Sequence, residues 1–180
     1  MIGLAPLKGK RITLRPLVQG DLGEVLSCYR ENPSFFERVN GTSHVGPLTV
    51  QMQYDAAEAD PRRAMSGIFV DGALAGILDF AVDPEERSCM IGLVMVRAAL
   101  QRRGLAREAV GLLEQALAAA GIERVKAGVE PANREAAPFW ARLGFVESGT
   151  FPAQDDLGAR FDAILMEKRI VATVQRPPRR

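Results

Sequence analysis

Apolar and polar positions alternate along this chain with two different periods, and the changes of period mark out the elements. Residues 88–96 are apolar almost without a break, the pattern of a central strand covered on both faces. Immediately after, residues 105–120 place Leu105, Ala109, Leu112, Leu113, Ala116, Leu117 and Ala120 three and four apart, which predicts a helix with one stripe packed on a sheet. Upstream, residues 12–16 alternate as a first strand. Asp21 is placed to cap a helix carrying Leu22, Val25, Leu26 and Tyr29, which should stop near Asn32-Pro33. Residues 34–47 read as a loop, although Phe35, Phe36 and Val39 are too apolar to be simply solvated. Thr49 can cap a second helix that runs towards Glu58 and ends at Asp60-Pro61. Residues 65–70 and 74–82 flank Asp71-Gly72, a hairpin signal, because a type I′ turn needs positive φ at its centre. Asp83-Pro84-Glu85 makes a further turn. Downstream come a short strand over 125–129 and a helix with Pro138 in its first turns, where a missing N–H costs little. Two closing strands over 145–151 and 161–168 are joined by a flexible segment, residues 153–159.

Composition narrows the class. With 180 residues, 47% hydrophobic and 25% charged, the chain suits one globular domain, residues 1–170, followed by a basic proline-rich tail, residues 171–180, with no packing signal. The tail is expected to be disordered, with a basic contact surface as the alternative. No internal repeat is evident. There is no eighteen-residue apolar span, and Lys8, Lys10 and Arg11 follow the first residues without a secretory core, so a cytoplasmic location is expected and no membrane partner. A net charge of +1 gives no reason to expect nucleic acid. Cys28 and Cys89 both fall in apolar patterns and read as small buried hydrophobes rather than a disulfide or metal pair. His44 is the one histidine, too few for a clustered zinc site, so no metal is expected. No nucleophile motif accompanies that histidine either.

The chemistry concentrates at Gln101-Arg102-Arg103-Gly104-Leu105-Ala106, a tight basic glycine turn between the apolar strand and the long helix. A helix N-terminus offers unpaired N–H groups and the positive end of the dipole, which together can hold a phosphate or pyrophosphate. Arg102, Arg103 and Arg107 add counter-charge, and Gly104 lets the backbone approach an anion closely. On these residues alone, an ordinary strand-to-helix connection with solvated arginines fits as well. The loop lacks the Gly-Lys-Ser/Thr ending of a P-loop, which weakens a phosphotransferase reading.

Downstream residues break the tie. Gln101, Gly104 and Ala106, then Asn133, the pair Phe139-Trp140 and Leu143-Gly144-Phe145 stand in an order and spacing that resembles the GNAT superfamily of N-acetyltransferases. Leu14-Arg15-Pro16-Leu17 followed by Asp21-Leu22 resembles the opening of many members, so the likeness covers most of the chain. The resemblance implies an α/β (α+β) fold with a mixed, mostly antiparallel sheet of about six to seven strands, splayed between its fourth and fifth, and about four helices. It implies acetyl-coenzyme A as cosubstrate. Backbone of Val94, Met95 and Val96 would pair with the pantetheine arm, amides from Gln101, Arg102, Arg103, Gly104, Leu105, Ala106 and Arg107 would take the pyrophosphate, and Asn133, Phe139 and Trp140 would border the coenzyme. Asn133 could equally cap the helix that follows it.

Two departures from the family pattern concern proton transfer. Trp140 stands where many members have a tyrosine acid, and Gly128 where some N-terminal-amine acetyltransferases have a glutamate base. Neither loss forbids reaction, since a thiol with a pKa near 8.5 leaves as thiolate without much help. Glu130, Asp79 and Glu37 are the candidate bases, Asp79 above all if it is buried alone. Phe35, Phe36, Glu37 and His44 could line the acceptor cleft, with packing beneath the loop as the alternative for the aromatics. The expected activity is transfer of acetyl to a primary amine, on a small molecule or a protein N-terminus, by direct attack. The competing class is a non-catalytic acyl-coenzyme A sensor that keeps the cradle without acid or base. A homodimer stays open.

Overall fold

A computed structural model describes residues 5–133, 135–154 and 160–171. Its described elements are β1 (Leu7–Lys8), β2 (Thr13–Pro16), α1 (Leu22–Arg30), α2 (Pro33–Asn40), α3 (Pro47–Ala59), β3 (Arg63–Val70), β4 (Ala73–Asp83), β5 (Ser88–Val96), α4 (Leu105–Ala119), β6 (Arg124–Val129), α5 (Ala136–Arg142), β7 (Val146–Gln154) and β8 (Arg160–Arg169). The strands form one sheet in the order β1-β2-β3-β4-β5-β6-β8-β7. Every neighbouring pair is antiparallel except β5 with β6, the pair that α4 connects. This is the mixed, mostly antiparallel α/β fold that the motifs imply.

The sheet is covered on both sides, and the alternation of β4 shows how. Leu78, Phe80 and Val82 join Leu105, Ala109, Val110, Leu113, Leu117 and Trp140 in one core, under α4 and α5. Ile77 faces the other way, into a second core with Val25, Tyr29, Phe36 and Val50 from α1, α2 and α3. Cys89 lies in the first core and Cys28 in the second, so the sheet separates them. Burial pushes both thiols up to about 12. Between β3 and β4 the hairpin turn has Asp71 at φ 49° and Gly72 at φ 84°, as its sequence requires.

Several details differ from the expectation. Eight strands and five α-helices are present among the described residues, against about six to seven and four. The extra strand β1 has two residues, too few to show a period. The extra helix is α2, in the segment read as a loop. Pro33 occupies its first turn, where proline starts helices as well as it stops them, and Gly41 closes it in the left-handed region at φ 64°. Asp21 stands at the N-cap position of α1, but its side chain makes no capping bond to the helix. Its carboxylate instead accepts two bonds from Arg15, at 2.8 and 2.9 Å, and one from the Val18 N–H at 2.9 Å, which closes a 3₁₀ turn ahead of the helix. Gly46, not Thr49, precedes the first turn of α3, which starts at Pro47. On α4 the buried stripe also takes in Val110 and Ala118, and Ala120 is exposed beyond the helix end. The joining segment 153–159 and the tail 171–180 lie mostly outside the described residues. No helix of the described residues is long and apolar enough to cross a membrane.

Candidate active site

The site begins with an interruption of the sheet. β5 pairs with β6 only from Ser88 to Ile91, while β6 stays paired with β8 along its whole length from Arg124 to Val129. From Gly92 to Val96, β5 keeps β4 on one side and has no strand on the other. Gly92 is the extra residue of a bulge, since Asp79 opposes Leu93 and the next residue, Phe80, opposes Ile91. The two strands therefore diverge at the bulge, and an edge of backbone N–H and C=O groups faces a cleft. The cleft holds ≈ 1170 Å³ and is walled by β5, the 101–107 loop, the start of α5 and the α1–α2 junction. A smaller hollow of ≈ 250 Å³ between the end of α3 and the start of β3 contains none of these edge groups.

The far end of that edge runs into the basic turn. Arg102 and Gly104 both take positive φ, 60° and 81°, so the turn folds tightly before α4 starts at Leu105. Glycine adopts this conformation freely, whereas for Arg102 it stores of order 1 kcal/mol of strain, a feature that clusters at ligand clamps. The turn brings the first amides of α4, the positive end of a fifteen-residue helix, to the mouth of the cleft. A guanidinium from the N-terminal segment braces it: Arg11 Nη1 donates to the Arg103 carbonyl at 2.6 Å, and Arg11 Nε and N–H donate to the two Glu108 carboxylate oxygens, each at 2.8 Å. Burial would raise the Glu108 carboxyl, but the bonds from Arg11 and from the Lys10 N–H more than offset it and hold it below the usual range.

The opposite wall is tied to β5 through Gln101 and through two side chains, Asn32 and Arg97, for which sequence reasoning found no role in the site. Gln101 Nε2 donates to Asn32 Oδ1 at 2.7 Å and to the Val96 carbonyl at 3.1 Å. Asn32 Nδ2 in turn donates to the Cys28 carbonyl at 2.8 Å and the Val96 carbonyl at 3.3 Å. Just beyond β5, Arg97 binds Glu31 at 2.5 Å, Glu24, and the Leu74 carbonyl at 2.8 Å, which fastens α1 to the sheet. The bonds from Asn32 to Gln101 and Val96, and from Arg97 to Glu24 and Glu31, join positions more than sixty residues apart, so no local pattern announces them.

Of the residues expected to hold a coenzyme, Val94, Met95, Val96, Gln101, Arg102, Gly104, Leu105, Ala106, Arg107, Asn133, Phe139 and Trp140 all line the cleft. Arg103 does not, and its carbonyl turns away to Arg11. The Asn133 side chain makes no hydrogen bond to a described residue, and Glu135 rather than Asn133 precedes α5. Trp140 is 5% exposed, with Phe139 and Phe145 at ring distances of 5.0 and 4.9 Å, so its body is core. Among the acceptor candidates only Phe35 lines the cleft; Phe36 is buried against Tyr29, and Glu37 and His44 are exposed outside it.

The carboxylates also part company. Asp79 shares a sheet face with its strand partners Met65 and Leu93, below α1 to α3. It is not alone: Arg63 Nε and Nη2 hold its two oxygens at 3.0 and 2.5 Å, and the same bonds push the Arg63 guanidinium still higher. The isolation that would have made it a base is therefore absent. Glu130 follows β6, half-buried, off the cleft wall. Among the described residues no three His, Cys, Asp or Glu side chains gather as a metal site.

An opened strand edge leading to a helix N-terminus through a tight basic turn coincides with a match in sequence. Residues 27–145 match the model of the acetyltransferase (GNAT) family. The chain belongs to that family. Many solved structures share its fold. An acetyltransferase from Thermus thermophilus is 24% identical with a TM-score of 0.72, over 89% of this chain and 97% of that one. A ribosomal L7/L12 alpha-N-protein acetyltransferase in complex with coenzyme A is 15% identical, TM-score 0.78, over 94% of this chain and all (100%) of that one. A spermidine N-acetyltransferase from Vibrio cholerae, in complex with coenzyme A and spermine, is 18% identical, TM-score 0.70, over 90% and 97%. No curated protein sequence matches. The cleft fits the family's acyl donor: a strand edge suits an amide-bearing arm, and a left-handed Gly104 at a helix N-terminus suits a pyrophosphate.

Proposed function

We propose that this protein transfers the acetyl group of acetyl-coenzyme A to a primary amine, on a small molecule or a protein N-terminus, by direct attack without a covalent enzyme intermediate. The observation that carries the reading is the unpaired β5 edge, Gly92 to Val96, running into the N-terminus of α4. When bound, the coenzyme supplies an activated thioester; everything else falls to the chain. The β5 edge would align the pantetheine arm by backbone hydrogen bonds, the amides around Gly104 would fix the pyrophosphate, and an edge N–H beside the bulge would stabilise the oxyanion. At the family's acid position stands Trp140, packed as core, and its indole cannot give up a useful proton. The departing thiol needs little help, with a pKa about 8.5. With Asp79 held by Arg63, and Glu37 and Glu130 both off the cleft wall, the amine proton goes to water.

The same two features, Trp140 in the core and an exposed Gly128 on the cleft wall, support a second reading, a sensor that binds acyl-coenzyme A without turnover. Calorimetric titration with acetyl-coenzyme A, followed by free-thiol release against polyamines, amino acids and peptides, separates the two. Binding with amine-dependent thiol release is the expected outcome. Binding without release across the panel moves the assignment to the sensor, and no binding removes both.

A further inference from the structure

Arg11 lies on the turn between β1 and β2, far in sequence from the 101–107 loop, and is not itself among the residues that line the cleft. That turn sits flush on the first turns of α4. Gly9 makes the approach achievable, because a Cβ there would come within 2.5 Å of Glu108 Oε1 and 3.1 Å of Leu112 Cδ1. Seated in this way, Arg11 makes three hydrogen bonds, two to the Glu108 carboxylate and one, at 2.6 Å, to the Arg103 carbonyl. Its Nη2 is also the nearest atom, at 3.3 Å, to where a side chain on Gly104 would begin.

The Arg103 carbonyl is the consequential contact, because it lies between the two left-handed residues of the turn, Arg102 and Gly104. In a trans peptide the carbonyl of one residue and the N–H of the next point in opposite directions. Drawing the Arg103 carbonyl outwards to Arg11 therefore turns the Gly104 N–H inwards, towards the cleft that Gly104 lines, and no described backbone group accepts from that N–H. Glu108 anchors the fork. Its carboxylate grips the Arg11 backbone and Nε together, leaving Nη1 aimed at the loop.

We propose that Arg11 is a positioning residue for coenzyme binding: braced by Glu108, its guanidinium holds the Arg103–Gly104 peptide with the N–H directed at the site of the pyrophosphate. This rests on the acetyl-coenzyme A reading above. It assigns a function to the N-terminal hairpin, which otherwise adds two short strands to the sheet edge. Arg11 acts through the loop and has no contact with the thioester.

The test compares two donors, acetyl-coenzyme A and S-acetylpantetheine, which has the same thioester arm without the pyrophosphate. Dissociation constants are measured by calorimetry for the first and by NMR titration, which reads weak binding, for the second. The proteins are the full chain as wild type, Arg11→Met, Arg11→Lys and Glu108→Gln, with unfolding midpoints recorded without ligand. The expected result is that Arg11→Met weakens acetyl-coenzyme A by about tenfold, the worth of one hydrogen bond to an anion, and leaves S-acetylpantetheine unchanged. Arg11→Lys keeps the charge but cannot span Glu108 and Arg103 together, so it should recover little. Glu108→Gln should weaken acetyl-coenzyme A as well, through a loosened fork. The proposal is overturned if Arg11→Met binds acetyl-coenzyme A like wild type, or if both donors weaken equally. Full rescue by Arg11→Lys would reduce Arg11 to a charge, and tighter binding by Glu108→Gln would reduce it to a neutraliser of Glu108; either sinks the positioning role. If Arg11→Met fails to fold, Arg11→Lys and Glu108→Gln decide. A wild type that binds neither donor refutes the acetyl-coenzyme A reading itself, which separates that failure from this one.

Discussion

Gly104→Val is the sharpest perturbation of the coenzyme cradle, and its effect can be worked from two numbers. The residue stands at φ 81°, and an added Cβ would start 3.3 Å from Arg11 Nη2. A β-branched L-residue has two ways to respond. It can stay left-handed, at a cost of about 1–2 kcal/mol in stability plus displacement of the Arg11 fork. Or it can relax to negative φ, which re-aims the amides at the start of α4. Losing one N–H bond to an anion costs about 1.5–3 kcal/mol, or about ten- to a hundredfold in affinity. Calorimetry with acetyl-coenzyme A should therefore show binding weaker by at least about tenfold. Urea denaturation should show a loss of about 1–2 kcal/mol. Gly121→Val is the control, because Gly121 has nearly the same φ, 84°, with nothing within 4 Å of its added Cβ, beyond the other end of α4. It should lose similar stability and keep wild-type affinity. Unchanged affinity in Gly104→Val, or an equal loss of affinity in both variants, would refute the placement of the site.

Other consequences follow from the same contacts. Asp79→Asn removes the partner of a half-buried Arg63, so stability should fall by about 1–3 kcal/mol in urea melts, while turnover per folded molecule stays within about threefold; a collapse of turnover in folded protein would make Asp79 the base after all. The Arg15 bond, followed in importance by burial acting against it, leaves the Asp21 carboxyl below its ordinary value. Because the folded value is depressed, this pair contributes its full stability above about pH 4 and loses it as pH falls through the folded value. Asp21→Asn should therefore flatten the acid limb of stability against pH, and an unaltered limb would assign it to other groups. Cys28 and Cys89, buried with thiols raised to about 12, should react with a thiol reagent at neutral pH only as fast as the protein opens; rapid labelling of the native protein would contradict the two-core packing.

Whatever depends on neighbours along the chain could be read without a structure. The nearly continuous apolar run of 88–96 gave β5 its bounds, the stripe of α4 followed from its 3.6-residue period, and Asp71-Gly72 fixed its turn, since each answer depends on the local backbone. The order of Gln101, Gly104, Asn133 and Phe139-Trp140 also carried the family, because those residue types at that spacing belong to one recurring arrangement. Helix α2 was the local failure, since two turns after a proline show too little period to separate from a loop.

Packing between distant segments set the rest. The family resemblance implied a splay between these strands, but its extent is a matter of register: β5 and β6 pair over only four residues and part at the bulge at Gly92. Asp79 was a candidate base only if buried alone, and the β3–β4 register brings Arg63 alongside; Arg11 carried no functional reading in the sequence, and the N-terminal hairpin docks it on α4. Local propensity places elements, but the partner of a charge and the open edge of a strand are set by which distant segments share a surface once apolar faces are buried.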